Sequence, residues 1–188
     1  MKRFTALLLS VLLLCSFAQS ASAAKMVQTF ATDYFQIYIP GDWIIDTSEA
    51  TDYFGALDLG YMYAPDESML IESKLFFYGD WSQDSLWLEN QDAWADYMEF
   101  LLDDLKDENP RFLSKFYAGQ FPGMLLTGTN EYGSYLYGEV MINAYAYGFY
   151  FYQLDGNGGI DSNITPENIE FFQSVLETFT PIFKPAST

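Results

Sequence analysis

Several stretches of the chain alternate apolar and polar residues, which is the pattern of half-buried β-strands. Residues 33–39 alternate in this way and stop at Pro40-Gly41, because proline has no N–H to give to a sheet. Trp43, Ile44 and Ile45 then predict an apolar cluster that packs back on the sheet. Further strands are predicted over residues 53–63, 69–78, 111–117, 124–129, 135–142 and 145–154, with residues 119–123 as a loop. The short connections favour antiparallel pairing.

Two other stretches repeat their apolar residues every three or four positions, as amphipathic helices do. The longer helix is predicted to begin at Asp84 or Ser85 and to end before Pro110, with its apolar stripe against a sheet face. The closing helix has Thr165 as N-cap and Pro166 at its first position. The order of elements predicts an α+β fold, an α/β/α sandwich in which one antiparallel β-sheet is flanked by helices.

Residues 1–24 have the composition of a secretory signal peptide. Two basic residues precede an apolar run over residues 4–17, and small residues at 21–24 provide a cleavage site. A membrane anchor would need about 20 consecutive apolar residues. A lipoprotein leader would place a small residue, where this chain has Leu14, before Cys15. We therefore expect cleavage, a secreted or periplasmic location and no transmembrane segment afterwards.

The remaining residues, 25–188, carry a large excess of acid. Two of the 8 basic side chains lie in the leader, which leaves 6 against 26 acidic ones and a formal charge of −20. Such a surface repels nucleic acid and anionic lipid, so the expected partners are cations, basic protein surfaces or neutral molecules. Half of the residues are hydrophobic and 19% are aromatic, which is far from the composition of disordered chains. We expect a single folded domain over residues 25–188.

The residue types that are missing exclude much of enzyme chemistry. The chain has no histidine and one cysteine, Cys15, which cleavage would remove. Disulfides, thiol nucleophiles, Cys/His zinc sites and Ser-His-Asp mechanisms are therefore excluded for the cleaved chain. A pair of carboxylates, as in glycosidases, needs no histidine, but no motif selects two of the acidic residues. We expect a protein that is not an enzyme and has no obligatory cofactor.

The opening strand has the form aromatic-x-Ile-x-x-Pro-x-x-Trp, with Phe35, Ile37, Pro40 and Trp43 at those positions. A last aromatic strand, GFYFYQL, runs toward the closing helix ENIEFFQSVLETFTP. Together with the element order, these features resemble the PsbP/Mog1/DcrB-like superfamily. The resemblance implies an α/β/α sandwich used mostly for binding and assembly. PsbP proteins bind at the lumenal face of photosystem II, Mog1 binds the GTPase Ran, and DcrB is a bacterial envelope protein. No functional residue is carried over, because the chain has no matching site motif.

Two groups of oxygen-bearing side chains are candidate sites for a divalent cation. The first group stands at the end of the long helix, where acidic residues oppose the helix dipole: Asp103, Asp104, Asp107 and Glu108. The second lies in the loop DGNGGIDSN and offers hard oxygen ligands suited to Ca²⁺: Asp155, Asn157 and Asp161. The loop departs from an EF-hand at its fifth, sixth and twelfth positions. The alternative readings are a solvated helix end and a turn that leads into a helix.

The many tyrosines of the later strands offer a second kind of ligand site. Flat rings with a polar tip suit the apolar faces of sugars, so a stacking platform for a saccharide is one hypothesis. Its candidate residues are Tyr135, Tyr137, Tyr145 and Tyr147. Because both faces of these strands carry aromatic residues, packing in the core of a sheet covered on two sides is the alternative.

These observations favour a noncatalytic extracytoplasmic binding or assembly factor of the bacterial cell envelope, which acts through its surface on a protein partner. A small-ligand module for a divalent cation or a saccharide is the alternative, and a carboxylate-based hydrolase is the third hypothesis. A ligand module should bring polar groups together in one concave pocket, whereas an assembly factor should expose an apolar or charged patch.

Overall fold

The computed structural model describes residues 26–47, 52–53, 56–77, 91–142, 145–157 and 159–182. The expected signal peptide and the expected start of the long helix lie outside these residues. In chain order the elements are β1 (Met26–Ala31), β2 (Phe35–Pro40), β3 (Ile44–Asp46), β4 (Asp52–Tyr53), β5 (Ala56–Tyr63), β6 (Met69–Phe77), α1 (Gln91–Asp104), a 3₁₀ turn (Lys106–Glu108), β7 (Arg111–Ala118), β8 (Phe121–Thr129), β9 (Ser134–Ile142), β10 (Tyr145–Gln153), α2 (Pro166–Leu176) and β11 (Thr180–Pro181).

The described strands form two antiparallel sheets. Among the described residues, the larger sheet has eight strands in the order β3-β5-β6-β10-β9-β8-β7, with β4 paired to β5 beside this path. The smaller sheet has the order β1-β2-β11. The strand β11 pairs with β2, so the end of the described chain returns to the sheet in which it begins. The prediction of antiparallel pairing is confirmed, but the prediction of a single sheet was wrong, because β1, β2 and β11 form a second one.

One face of the large sheet packs against the small sheet and α2. Phe35 of β2 contacts Phe149 of β10 edge-on, with ring centroids 5.1 Å apart, and stacks on Phe179 at 5.5 Å. From α2, Phe172 and Leu176 enter the same cluster, and both are fully buried. Burying such aromatic and aliphatic side chains supplies the main driving force for folding.

The opposite face of the large sheet packs against α1. The helix contributes Tyr97, Met98 and Leu101, which are spaced so that they lie on one side of it. On the sheet, the cluster includes Met124, Leu126, Tyr135, Tyr137 and Met141. The large sheet is thus covered on two sides, and the α+β sandwich that the pattern predicts is the observed fold.

The closing helix α2 begins where the sequence predicts it. The Thr165 hydroxyl accepts a hydrogen bond from the Asn168 backbone N–H, and the Asn168 side chain accepts one from the Thr165 backbone N–H. This reciprocal pair is a capping box. Pro166 fits the first helical position because a backbone N–H there would have no acceptor within the helix, so proline loses no hydrogen bond.

The prediction of an opening strand over residues 33–39 was wrong in one respect, because this segment is the second strand, β2, and belongs to the small sheet. It is preceded by β1, whose residues do not alternate clearly enough to predict a strand. After Pro40 the chain does not pack back as one cluster. Trp43 is buried, whereas Ile44 is 56% exposed in the edge strand β3.

The predicted loop over residues 119–123 was also wrong, because β8 starts at Phe121 and leaves only Gly119-Gln120 as the turn. The residues from Phe121 to Leu126 are all buried, so this strand lacks the alternation of a half-exposed one. Pro122 pairs with β7, while the pairing of β8 with β9 begins only at Gly123. The proline therefore stands at the end of that ladder, where its missing N–H is tolerated. The strand predicted over residues 53–63 is divided into β4 and β5.

Candidate functional site

The acidic residues at the end of α1 do not point to one place. Asp103 is exposed and pairs with Lys106, with 3.4 Å between the carboxylate oxygen and Nζ. Glu108 instead faces the sheet and accepts a hydrogen bond of 2.5 Å from the Tyr135 hydroxyl. Asp104 and Asp107 are exposed. Within the described part of the chain, no group of three or more acidic side chains is arranged to hold a metal ion.

The carboxylates of the candidate calcium loop hold the backbone of the loop. Asp155 accepts hydrogen bonds from the backbone N–H groups of Asn157 and Gly159, at 2.8 and 3.0 Å. Asp161 accepts one from Asn163 at 2.9 Å. These contacts are the local side-chain turns that Asp often forms, and they account for the two aspartates without a ligand. Binding of a divalent cation by this loop stays an untested alternative.

The four candidate tyrosines lie on two different faces of the large sheet. Tyr135 and Tyr137 are buried on the α1 face. Tyr147 is buried on the opposite face beside Phe35, and Tyr145, on that same face of β10, is 43% exposed. The structure therefore does not bring the four rings together as a platform, and packing explains three of them.

A groove of about 560 Å³ lies at one end of the sandwich, where three separate segments meet. They are the turn after β2, the turn between β5 and β6, and the first turns of α2. Its apolar lining includes Trp43 and Phe171, whose ring centroids are 5.5 Å apart, together with Met69. We call it the acidic groove, because its rim carries Asp42, Asp66 and Glu167.

The three rim carboxylates are exposed, and none of the groove's lining residues is basic. Asp66 accepts hydrogen bonds from the Ser68 hydroxyl at 2.6 Å and the Ser68 backbone N–H at 3.1 Å, which lower the pKa of its carboxyl. Glu167 stands in the first turn of α2, where the helix dipole favours an anion. Because these negative charges surround an apolar floor, the groove suits a ligand that is both cationic and apolar.

A second unusual feature is a buried carboxylate beneath α1. Glu139 lies on β9, is 1% exposed and faces the helix. It accepts hydrogen bonds from the hydroxyl groups of Tyr97, on α1, and Tyr137, on its own strand. Burial raises the pKa of the Glu139 carboxyl to about 7 from its ordinary 4.5, and the two tyrosine hydrogen bonds act against this rise.

Neither of these features was predicted as a site from the sequence. Glu139 had a signal, because it is the one charged residue in the strand SYLYGEVMI and falls on the same face as Tyr135 and Tyr137. Its partner Tyr97 could not be found without knowing which helix covers that face. Trp43 and Phe171 are distant in sequence, so the groove exists only through the topology.

Comparison with solved structures finds the same fold in another protein. The solution structure of cyanobacterial PsbP (CyanoP) from Synechocystis sp. PCC 6803 aligns with a TM-score of 0.50 and 10% sequence identity. The alignment covers 87% of this chain and 96% of that one. The chain has a PsbP-like fold. At 10% identity this likeness concerns the fold alone, and it confirms the architecture that the sequence resemblance implied.

A crystal structure from Bacteroides thetaiotaomicron VPI-5482 also aligns, with a TM-score of 0.43, 14% identity, and coverage of 85% of this chain and 50% of that one. The sequence matches no protein-family model and no curated protein. Among the described helices of the PsbP-like fold, none is long and apolar enough to cross a membrane.

Proposed function

We propose that this protein is a noncatalytic binding or assembly factor of the bacterial cell envelope, and that its acidic groove holds a basic, partly apolar segment of a partner protein. The observation that carries the proposal is the composition of the groove. An apolar floor that includes Trp43, Met69 and Phe171 is rimmed by three carboxylates with no basic residue between them.

The two parts of the groove have different roles in binding. A Leu, Met or aromatic side chain of the partner that covers the apolar floor is removed from water, which gives most of the affinity. Lysine or arginine residues beside it meet the exposed carboxylates at the rim. Exposed charge pairs add little affinity, but they increase the association rate and reject acidic partners. The formal charge of −18 on the whole chain, or −20 without the leader, acts in the same direction.

The location in the envelope is proposed from the leader sequence. Residues 1–24 have the charged, apolar and small-residue regions of a signal peptide. The noncatalytic role is proposed from residue types, because the chain has no histidine and its one cysteine lies in the leader. An open groove that binds a protein segment needs neither residue.

A peptide that joins both features tests the proposal. A fluorescein-labelled peptide of alternating lysine and leucine is titrated with residues 25–188, and its anisotropy is compared with that of an alternating glutamate and leucine peptide. We expect saturable binding of the lysine peptide only, weakened at high salt because exposed charges are screened within about 10 Å at 0.1 M ionic strength. The site is tested with the double variant Asp42→Lys/Glu167→Gln.

The matched control, Asp103→Lys/Asp104→Gln, changes the total charge by the same amount at the exposed end of α1. Because Asp42→Lys places a positive charge against the lysines of the peptide, it replaces a weak attraction by a repulsion, and we expect the groove variant to bind the lysine peptide at least tenfold more weakly than the control variant does. Equal losses in both variants would show attraction to net charge alone and would contradict the groove as the site. An absence of saturable binding would contradict the proposal as a whole.

A further inference from the structure

The contact between α1 and the large sheet is built around an acid in the core. Glu139 is 1% exposed, and its two hydrogen-bond donors come from different elements, Tyr97 on α1 and Tyr137 on β9. The hydrogen bond from Tyr97 joins the helix directly to the sheet. Around it pack apolar residues of the same cluster, including Met98, Leu101, Met124 and Met141. Burying an ionised carboxylate among apolar residues costs free energy, and protonation of the group removes that cost.

No basic residue in the described part of the chain forms an ion pair with Glu139. On the adjacent strands it is flanked by Gly148 of β10 and Met124 of β8, which carry no charge. Tyr150 of β10 is a further titratable group that Glu139 affects, because Glu139 helps to raise the pKa of Tyr150 after the larger effects of burial, Tyr152 and Glu108.

Two lysines lie in the same cross-strand row as Glu139, each two strands away. Lys74 of β6 pairs with Glu72 at 3.0 Å and with Asp58 at 3.5 Å. Lys115 of β7 lies 3.9 Å from the centre of the Trp94 ring on α1. Both cations therefore have contacts of their own, and an ionised Glu139 would be an uncompensated buried charge.

The two protonation states of Glu139 differ in how well they fit this place. A neutral carboxyl group can donate to one tyrosine oxygen and accept from the other hydroxyl, so it keeps both contacts without a buried charge. A carboxylate can only accept, and it retains the cost of desolvation. We propose that Glu139 is a proton-controlled latch, which holds α1 on the sheet when it is protonated and loosens the helix when it is ionised.

The direction of the effect follows from proton linkage. Because the folded-state pKa of about 7 lies above the ordinary value of 4.5, the stabilisation is complete below pH 4.5 and is lost as the pH rises through 7. The latch therefore acts near neutral pH, where an extracytoplasmic protein meets changes in proton concentration. It lies on the opposite face of the sheet from α2 and the acidic groove, so it does not depend on the proposed partner.

Hydrogen exchange of the backbone amides tests the latch. Protection factors, corrected for the intrinsic effect of pH, are measured for residues 91–104 at pH 5.5 and pH 8. For pKa values of 4.5 in the open state and about 7 in the closed state, linkage predicts a roughly 30-fold loss of protection between these pH values. Residues 166–176 in α2 cover the other face and are the internal reference. Because α1 should open without them, their amides should stay better protected at pH 8 than those of α1.

Two variants separate the latch from a general effect of pH. Glu139→Gln removes the titration while keeping the size of the side chain, so α1 should keep its protection at pH 8. Tyr97→Phe keeps the carboxyl group of Glu139 but removes the hydrogen-bond donor on the helix. The amides of α1 in this variant should therefore be less protected at pH 8 than those of the wild type. Together with the wild-type loss, these results would support the latch.

Three results would overturn it. One is equal protection of α1 at both pH values in the wild type. Another is equal protection of α1 and α2 at pH 8, which would show that the helix opens only when the whole domain unfolds. The third is an unchanged pH dependence in Glu139→Gln. If Glu139→Gln does not fold, the wild-type and Tyr97→Phe measurements still decide the matter. Binding of the lysine peptide, measured in parallel, separates failure of the latch from failure of the groove.

Discussion

Gly138 is expected to be required for the packing of α2 on the large sheet. It lies on β9 directly under Leu176, the last residue of the helix, and Leu176 is fully buried. A Cβ atom added at position 138 would come closer to Leu176 Cδ1 than the 3.0 Å that real Cβ atoms respect. The Cγ and Cδ2 atoms of Leu176 would be 3.3 Å away, so rotating the side chain within a filled cluster gives little relief.

The size of the effect follows from two opposing terms. Overpacking a filled core costs about 1–3 kcal/mol, and replacing glycine by alanine returns about 0.4–1 kcal/mol by restricting the unfolded chain. We therefore expect Gly138→Ala to lower the free energy of unfolding by about 1–2 kcal/mol. Leu176→Ala should cost about 2–5 kcal/mol by leaving a cavity. In the double variant the new methyl group enters that cavity, so the cost should be about 1–2 kcal/mol less than the sum.

Equilibrium unfolding in urea of the two single variants and the double variant measures this coupling. A second cycle that pairs Gly138→Ala with Leu101→Ala is the control, because Leu101 is buried on the other face of the sheet, and its energies should add. A Gly138→Ala protein as stable as the wild type would refute the packing argument. Additive energies in the Gly138 and Leu176 cycle would refute it as well.

Three further predictions follow from other contacts. Thr165→Ala should lower the free energy of unfolding by about 1 kcal/mol, because α2 loses its N-cap acceptor. Unfolding in urea measures this change, and the Thr165→Ser variant should retain most of the wild-type stability. Between pH 5.5 and pH 8 the free energy of unfolding of the wild type should fall by about 2 kcal/mol more than that of Glu139→Gln, which urea titrations at both pH values measure. An equal pH dependence of the two proteins would contradict the raised pKa of Glu139. The thermal midpoint of unfolding should shift equally with millimolar Ca²⁺, Mg²⁺ and Mn²⁺ and with a control of equal ionic strength, because the aspartates of the loop already bind backbone N–H groups. A selective rise with one ion, lost in Asp155→Asn/Asp161→Asn, would establish a cation site.

Local signals in the sequence were sufficient for elements whose ends are fixed by nearby residues. Thr165 and Pro166 mark the start of α2 through a cap and a restricted backbone angle, and both act within one helical turn. The strand β8 shows the opposite case. Pro122 and Gly123 are residue types typical of a loop, but they lie in a strand that is buried on both faces. Gly123 is needed there because a side chain at this position would overlap the Phe116 ring on the neighbouring strand. That contact depends on strand pairing, which the local sequence does not contain.

The two candidate sites depend on contacts between distant parts of the chain. The spacing of SYLYGEVMI is enough to place Glu139 among inward-facing residues. Predicting that Glu139 accepts a hydrogen bond from Tyr97 requires the knowledge that α1, rather than α2, covers that face. The acidic groove similarly joins a turn after β2 to the start of α2. Residue types therefore restricted the possible chemistry, while topology decided which residues meet.

Binding of a partner protein in the acidic groove is decided by photo-crosslinking in the native envelope. A photoreactive benzoylphenylalanine is placed at Pro65, an exposed residue of the groove, or at Tyr132, which is 68% exposed and is not among the groove's lining residues. We expect a discrete crosslinked protein from position 65 only, joined through a segment that carries both lysine or arginine and apolar residues. The product should be lost when Asp42→Lys/Glu167→Gln is added. Equal products from both positions, or a partner joined through an acidic segment, would show that the groove is not the binding site for a basic segment.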